Sequence, residues 1–111
     1  MDNYTVDVEL MDEDDIRLTF YMNNVDIIRF EFTKSSFNKS KLKKFKTMIN
    51  GDKNDEVTIL NSNGFIGFIK KANILTIECS RYDDYPNCGN LECKFIINSE
   101  IEKLINKLEL L

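Results

Sequence analysis

A chain of 111 residues, 42% hydrophobic and 31% charged with 15 basic against 19 acidic side chains, has the make-up of one small globular domain covering residues 1–111, an α+β one by the order of its expected elements. Roughly two thirds of the unfolded surface can be buried at this length, which suffices for one core and not for two independent ones. The chain contains no histidine, so a Ser-His-Asp triad, a Cys-His nucleophile pair, a Cys2His2 zinc site and an imidazole proton shuttle are all excluded.

Tyr4, Val6, Val8 and Leu10 alternate with polar residues, the period of two that marks a half-buried strand. A second strand follows at Ile16, Leu18, Phe20 and Met22, and a five-residue loop, Met11 to Asp15, pairs Leu10 with Ile16 and keeps both apolar sets on one face. The third strand carries Ile28, Phe30 and Phe32. A two-residue turn at Asn23 and Asn24 would pair Phe20 with Ile27 and send this set to the wrong face. A three-residue loop ending at Val25 aligns Phe20 with Ile28 and Leu18 with Phe30.

After Thr33 the period becomes helical. Leu42, Phe45, Met48 and Ile49 share one side of a helix placed near residues 38–50, with Ser36 or Ser40 as its cap and Gly51 as its stop. Asn63-Gly64 then signals a hairpin that pairs Ile59 with Phe68 and leaves Gly67 opposite Leu60. A turn near Lys71 and Ala72 lets Leu75, Ile77 and Cys79 continue the apolar face. A long loop over residues 80–90 carries the sole proline, Pro86. Leu91, Cys93, Phe95 and Ile97 form what reads as the sixth strand. Ser99 and Glu102 make a capping box for a last helix bearing Ile101, Leu104, Ile105, Leu108 and Leu111. The expected architecture is a mainly antiparallel sheet of about six strands in βββα-βββα order, with two helices packed on one face.

Residues 37–51, 64–79 and 95–111 give the chain a pattern similar to that of small bacterial immunity proteins and of uncharacterised small proteins of large DNA viruses. The resemblance implies binding or inhibition of another protein and brings no catalytic residue with it. The doubled sheet-plus-helix order also resembles the repeated units of sliding-clamp domains, in topology alone.

Charge is segregated along the chain. Residues 1–33 have a net charge of −7, whereas residues 34–53 reach +6. Lys39, Lys41, Lys43, Lys44 and Lys46 are the candidate anion-binding set, although they ring the helix's solvent side and no aromatic residue interleaves with them in the manner of a nucleic-acid reader. Asp12, Glu13, Asp14 and Asp15 lack the alternation and central glycine of a calcium loop. Cys79, Cys88 and Cys93 lack CxxC spacing; the first and last fall on apolar strand parities as core residues, and Cys88, in a loop, is the reactive thiol.

The candidate working surface is the outward face of the second set of strands. Leu60, Phe65, Ile69, Ile74 and Ile96 place large apolar groups where a solvated sheet face should be polar. The sequence therefore reads as a non-enzymatic protein-binding module without metal or cofactor, whose partner is another protein or a second copy of itself in a homodimer. Nucleic-acid association through the lysine helix, or self-assembly as a structural component, are the alternatives. No apolar run matches a membrane span and Met1 to Leu10 lacks the regions of a signal peptide. With an odd number of cysteines, the expected setting is intracellular and soluble, the cytoplasm or nucleus of a host cell. The Ile, Asn and Lys bias suits a low-GC bacterium or a large DNA virus.

Overall fold

A computed structural model describes residues 3–23, 25–61, 64–81 and 91–111. Among them, seven strands and two helices follow in the order βββα-ββββα: β1 (Thr5–Leu10), β2 (Asp15–Met22), β3 (Val25–Thr33), α1 (Lys39–Asn50), β4 (Asp55–Asn61), β5 (Gly64–Lys71), β6 (Ile74–Arg81), β7 (Leu91–Ile96) and α2 (Ser99–Glu109). The strands form two antiparallel sheets, β1-β2-β3 and β4-β5-β6-β7. This corrects the expected single sheet of about six strands. The segments on either side of Ala72 and Asn73 are two full strands, and α1 separates β3 from β4, so no ladder joins the two sheets. The helices divide likewise, α2 packing along β1 and α1 on β4 and β5.

Local registers show how parity is kept. Leu10 pairs with Ile16 across the β1–β2 loop, as the five-residue spacing requires. Phe20 pairs with Ile28 and Leu18 with Phe30, but by a different device from the expected three-residue loop: β2 ends in a Met22–Val25 pair, and a bulge between Phe20 and Tyr21 leaves Ile27 without a partner across the ladder. One extra residue thus restores the apolar parity that the short turn disturbs, and Asn23 takes the positive φ of 52° that asparagine tolerates.

In the β4–β5 hairpin Ile59 pairs with Ile66, Val57 with Phe68 and Leu60 with Phe65. The ladder is therefore slipped by two residues from the expected Ile59–Phe68 pairing, which leaves every side chain on its expected face. Gly64 belongs to β5, opposite Asn61, and Gly67 faces Thr58 rather than Leu60. Asn63, the other half of the expected turn, lies outside the described residues.

Both helices start within a residue of the expected place, but neither takes the cap expected of it. The Asn38 side chain caps α1, accepting from the Lys41 amide at 3.0 Å, in place of Ser36 or Ser40. Asn98 caps α2 through a 2.9 Å bond from the Glu100 amide, which makes Ser99 the first helical residue and displaces the capping box. In both cases an asparagine one position upstream of the helix supplies the acceptor.

The inner faces of both sheets and both helices meet in one core. Phe20 of β2 stacks on Phe95 of β7 with ring centroids 4.4 Å apart, and Tyr4 lies 5.0 Å from Phe95, so three rings span the gap that no backbone ladder crosses. The Tyr4 hydroxyl donates to the Ile96 carbonyl at 2.6 Å, tying the chain ahead of β1 to β7. Burial, reinforced by the Glu100 carboxylate, raises the Tyr4 phenol well above its ordinary range. The neutral phenol is thus favoured by folding, and that contribution is lost only as pH climbs above about 10. At the other end of the core Phe45 of α1 meets Phe68 of β5 at 5.0 Å. Ile101, Leu104, Ile105 and Leu108 bury one side of α2.

Among the described residues Lys70 is the one buried charged side chain. It shares the inward parity of Ile66 and Phe68 and is only 5% exposed. Its ammonium donates to the carbonyls of Met48 at 3.0 Å, Ile49 at 3.5 Å and Gly51. A cation from β5 therefore caps the end of α1, supplying a donor to the Ile49 and Gly51 carbonyls and adding to the Gly51 amide that reaches the Met48 carbonyl at 3.4 Å, at the negative end of the helix dipole.

Candidate functional site

The antiparallel register places every expected surface residue on the outer face of the four-stranded sheet. Inward positions Val57, Ile59, Ile66, Phe68, Leu75 and Ile77 are buried in the core, so the alternate positions Leu60, Phe65, Ile69, Ile74 and Ile96 turn the other way. Among the described residues neither helix covers this face. Leu60 is 58% exposed, and Phe65, Ile69, Ile74 and Ile96 are half-buried.

The five do not make one continuous patch. Leu60 and Phe65 are direct cross-strand partners at one end of the sheet. Ile74 and Ile96 are partners at the other end, with Ile69 diagonal to Ile74. Six residues of β5 separate the two rows, about 20 Å at strand rise. Between them runs a row of Thr58, Gly67, Glu78 and Glu92. Gly67 has no side chain, and a Cβ built there would stand 4.0 Å from the Glu78 carboxylate. The outer face is thus a saddle: two apolar ends with an acidic, low-relief middle. Glu92 is partly answered by Lys94, 3.6 Å away on the same strand.

The lysines of α1 are less available than the sequence suggests. Lys41 reaches β4 and donates to the Thr58 carbonyl at 2.5 Å, occupying an edge-strand acceptor. Lys46 pairs with Glu109 of α2 at 3.0 Å. Lys39, Lys43 and Lys44 remain exposed, with Lys39 and Lys43 on the flank nearest α2 and Lys44 on the opposite flank. The set is split around the helix and makes no track of phosphate spacing.

Cys79 and Cys93 lie on inward positions of β6 and β7 but are half-buried against the core rather than inside it. Cys93 is a free thiol among the described residues. Burial, with Glu92 adding to it, pushes the Cys93 thiol above its ordinary value. Alkylation followed by peptide-resolved mass spectrometry is therefore expected to modify Cys93 more slowly than a free model thiol at neutral pH, with the gap narrowing as pH rises. Equal rates at pH 7 would contradict the assignment. Cys88, Asp83 and Asp84 lie outside the described residues. No group of three or more Cys, Asp or Glu with metal-binding geometry occurs among the described residues, and none of their helices is long and apolar enough to cross a membrane.

Sequence reading missed two features. The inward position of Lys70 was available from strand parity, since it continues Ile66 and Phe68. The row through Gly67 and Glu78, which divides the apolar set, depended on the exact β4–β5 register and was not available. No known family model, curated protein or solved structure matches the chain.

Proposed function

We propose that this chain is a non-enzymatic protein-binding module whose working surface is the outer face of the β4-β5-β6-β7 sheet. The observation that carries this reading is the pair of apolar rows, Leu60 with Phe65 and Ile74 with Ile96, held on a sheet face that neither helix covers. Rigid strands fix their spacing, as a recognition surface requires. A complementary partner presents apolar groups about 20 Å apart and a basic or hydrogen-bond-donating centre over Glu78 and Gly67, a span matched by one six-residue strand or about thirteen residues of helix. The acidic middle sets which partner fits; the apolar ends supply most of the affinity. The resemblance of residues 37–51, 64–79 and 95–111 to small immunity-type and viral proteins implies binding of the same kind.

Charge substitution on this face is the test. Leu60→Asp places an uncompensated carboxylate where a partner excludes water, at a position exposed enough to leave the fold intact. Quantitative pull-down from the native host is expected to lose about tenfold or more of a specific partner with Leu60→Asp and to keep it with Lys43→Ala/Lys44→Ala. Retention of the same partners by Leu60→Asp and by Phe65→Asp would refute the proposal.

Nucleic-acid association through α1 is the weaker reading, because Lys41 and Lys46 are already engaged and the remaining lysines lie on two flanks. It demands binding to random-sequence DNA that falls log-linearly with salt and loses slope when Lys43 and Lys44 are removed.

A further inference from the structure

A second surface lies at the opposite side of the molecule from the sheet face. A cleft of about 370 Å³ opens where the start of α1 meets the end of α2. Ile16, Phe37, Leu42 and Leu108 give it an apolar floor, and Lys34, Lys39 and Glu109 stand at its margin. It runs on along α1 into a hollow of about 340 Å³ flanked by Lys39, Lys43 and Lys46. Four lysines thus rim an apolar groove in a chain whose net charge is −4.

Beside this groove the same chain displays its chemical complement. The β1–β2 tip exposes Leu10 and Met11, 46% and 42% accessible, immediately followed by the exposed carboxylates of Asp12, Glu13, Asp14 and Asp15. Large apolar side chains at a loop tip are costly to leave in water, and most such tips are polar throughout. Leu10 pairs with Ile16, a residue of the groove floor, and the Lys34 amide donates to the Asp14 carbonyl at 2.7 Å, so tip and groove share one end of the molecule and are held in fixed relation. A surface that carries both an apolar-acidic projection and an apolar-basic recess is complementary to itself under a two-fold axis, where each copy's projection meets the other's recess.

We infer that a second copy of the chain docks here. Leu10 and Met11 of each copy cover the apolar floor of its partner's groove, and the tip carboxylates meet Lys34, Lys39, Lys43 and the neighbouring rim. Opposite charge in both contacts selects this head-to-groove pairing over any other face. The tip's four carboxylates beside the groove oppose a polyanion such as DNA at the same place. The inference is independent of the sheet face, which stays open in such a dimer.

Sedimentation equilibrium of the intact chain tests it. The wild-type protein is expected to be dimeric at micromolar to tens-of-micromolar concentration, on the order expected of a small interface with apolar anchors. Lys39→Glu/Lys43→Glu gives a chain acidic at both tip and groove, and Asp12→Lys/Glu13→Lys/Asp14→Lys gives one basic at both. Each alone is expected to dimerise at least about tenfold more weakly. Their equimolar mixture is expected to regain wild-type association, since both contacts of the mixed pair join opposite charges. Lys39→Glu also puts an acid in the first turn of α1, which favours the helix, so loss of folding does not account for dissociation. Met11→Asp, in an exposed loop, is the further variant, expected to dissociate with an unchanged circular dichroism spectrum. A monomeric wild-type chain, a dimer indifferent to both charge reversals, a mixture that stays monomeric, or a dimer dissolved by Leu60→Asp instead would each overturn the inference.

Discussion

Phe95→Ala is expected to destabilise the fold by on the order of 4 kcal/mol, the largest effect of any single truncation proposed for this chain. Phe95 is fully buried on β7, stacked on Phe20 of β2 and in contact with Tyr4. Among the described residues no backbone hydrogen-bond ladder joins the two sheets, so their union rests on side chains such as these rings. Truncation removes the transfer energy of a phenyl group and leaves a cavity lined by aromatic faces that cannot collapse without moving a whole sheet. Urea unfolding followed by circular dichroism measures the loss. A cost below about 1 kcal/mol would mean that the sheets are held together elsewhere.

Lys70→Met is expected to cost on the order of 3 kcal/mol although it replaces a charge by an apolar group of similar length. The ammonium donates to three carbonyls at the end of α1, and methionine offers none of those hydrogen bonds. The carbonyls are then left in a partly closed site at the negative end of the helix dipole, the unfavourable half of a broken buried interaction. Lys71→Met, one residue further and fully on the surface, serves as the comparison and is expected to stay within about 0.5 kcal/mol of wild type. Similar costs at the two positions would remove the capping role assigned to Lys70.

Both effects depend on features of unequal legibility in the sequence. Face assignment by alternation holds for most positions: Tyr4 and Val6, Ile16, Leu18 and Phe20, Val57 and Ile59, Ile66 and Phe68, Leu75 and Ile77 are all buried in the core, whereas Leu10 is exposed at the loop tip and Thr19 is buried despite its polar parity. Both helices stand within a residue or two of their expected positions because Phe45, Met48 and Ile49, and Ile101 to Leu108, can be buried together only at helical spacing. Alternation, however, gives the face of each strand and not its neighbour. Nothing local to Phe32 or Val57 states that β3 and β4 fail to pair, and a one-sheet arrangement satisfies the same parity. Register suffered in the same way, since a two-residue slip of the β4–β5 hairpin changes no face and so leaves no trace in the hydrophobic pattern.

The candidate surface shows the same division. That Leu60, Phe65, Ile69, Ile74 and Ile96 share the outer face follows from parity alone. Their separation into two rows, with Gly67 and Glu78 between, follows only from cross-strand pairs. The lysines of α1 were legible as a charged helix. The engagement of Lys41 by Thr58 and of Lys46 by Glu109 joins elements distant in sequence, and no local pattern carries it. Likewise, the groove behind α1 is built from four separate segments, and only the acidic tip next to it was visible as a run.

The central claim, that the outer face of the four-stranded sheet binds a protein partner, is tested most directly by the affinity of the partner recovered from the host, measured by calorimetry against wild type, Leu60→Asp and Phe65→Asp at about 50 and 500 mM salt, a range that shortens the Debye length about threefold. Apolar contacts at the two ends of the saddle predict a wild-type affinity that changes by less than about fivefold across that range and falls by about a hundredfold in either variant. Variants that bind as tightly as wild type, or a wild-type affinity that collapses with salt, would contradict it.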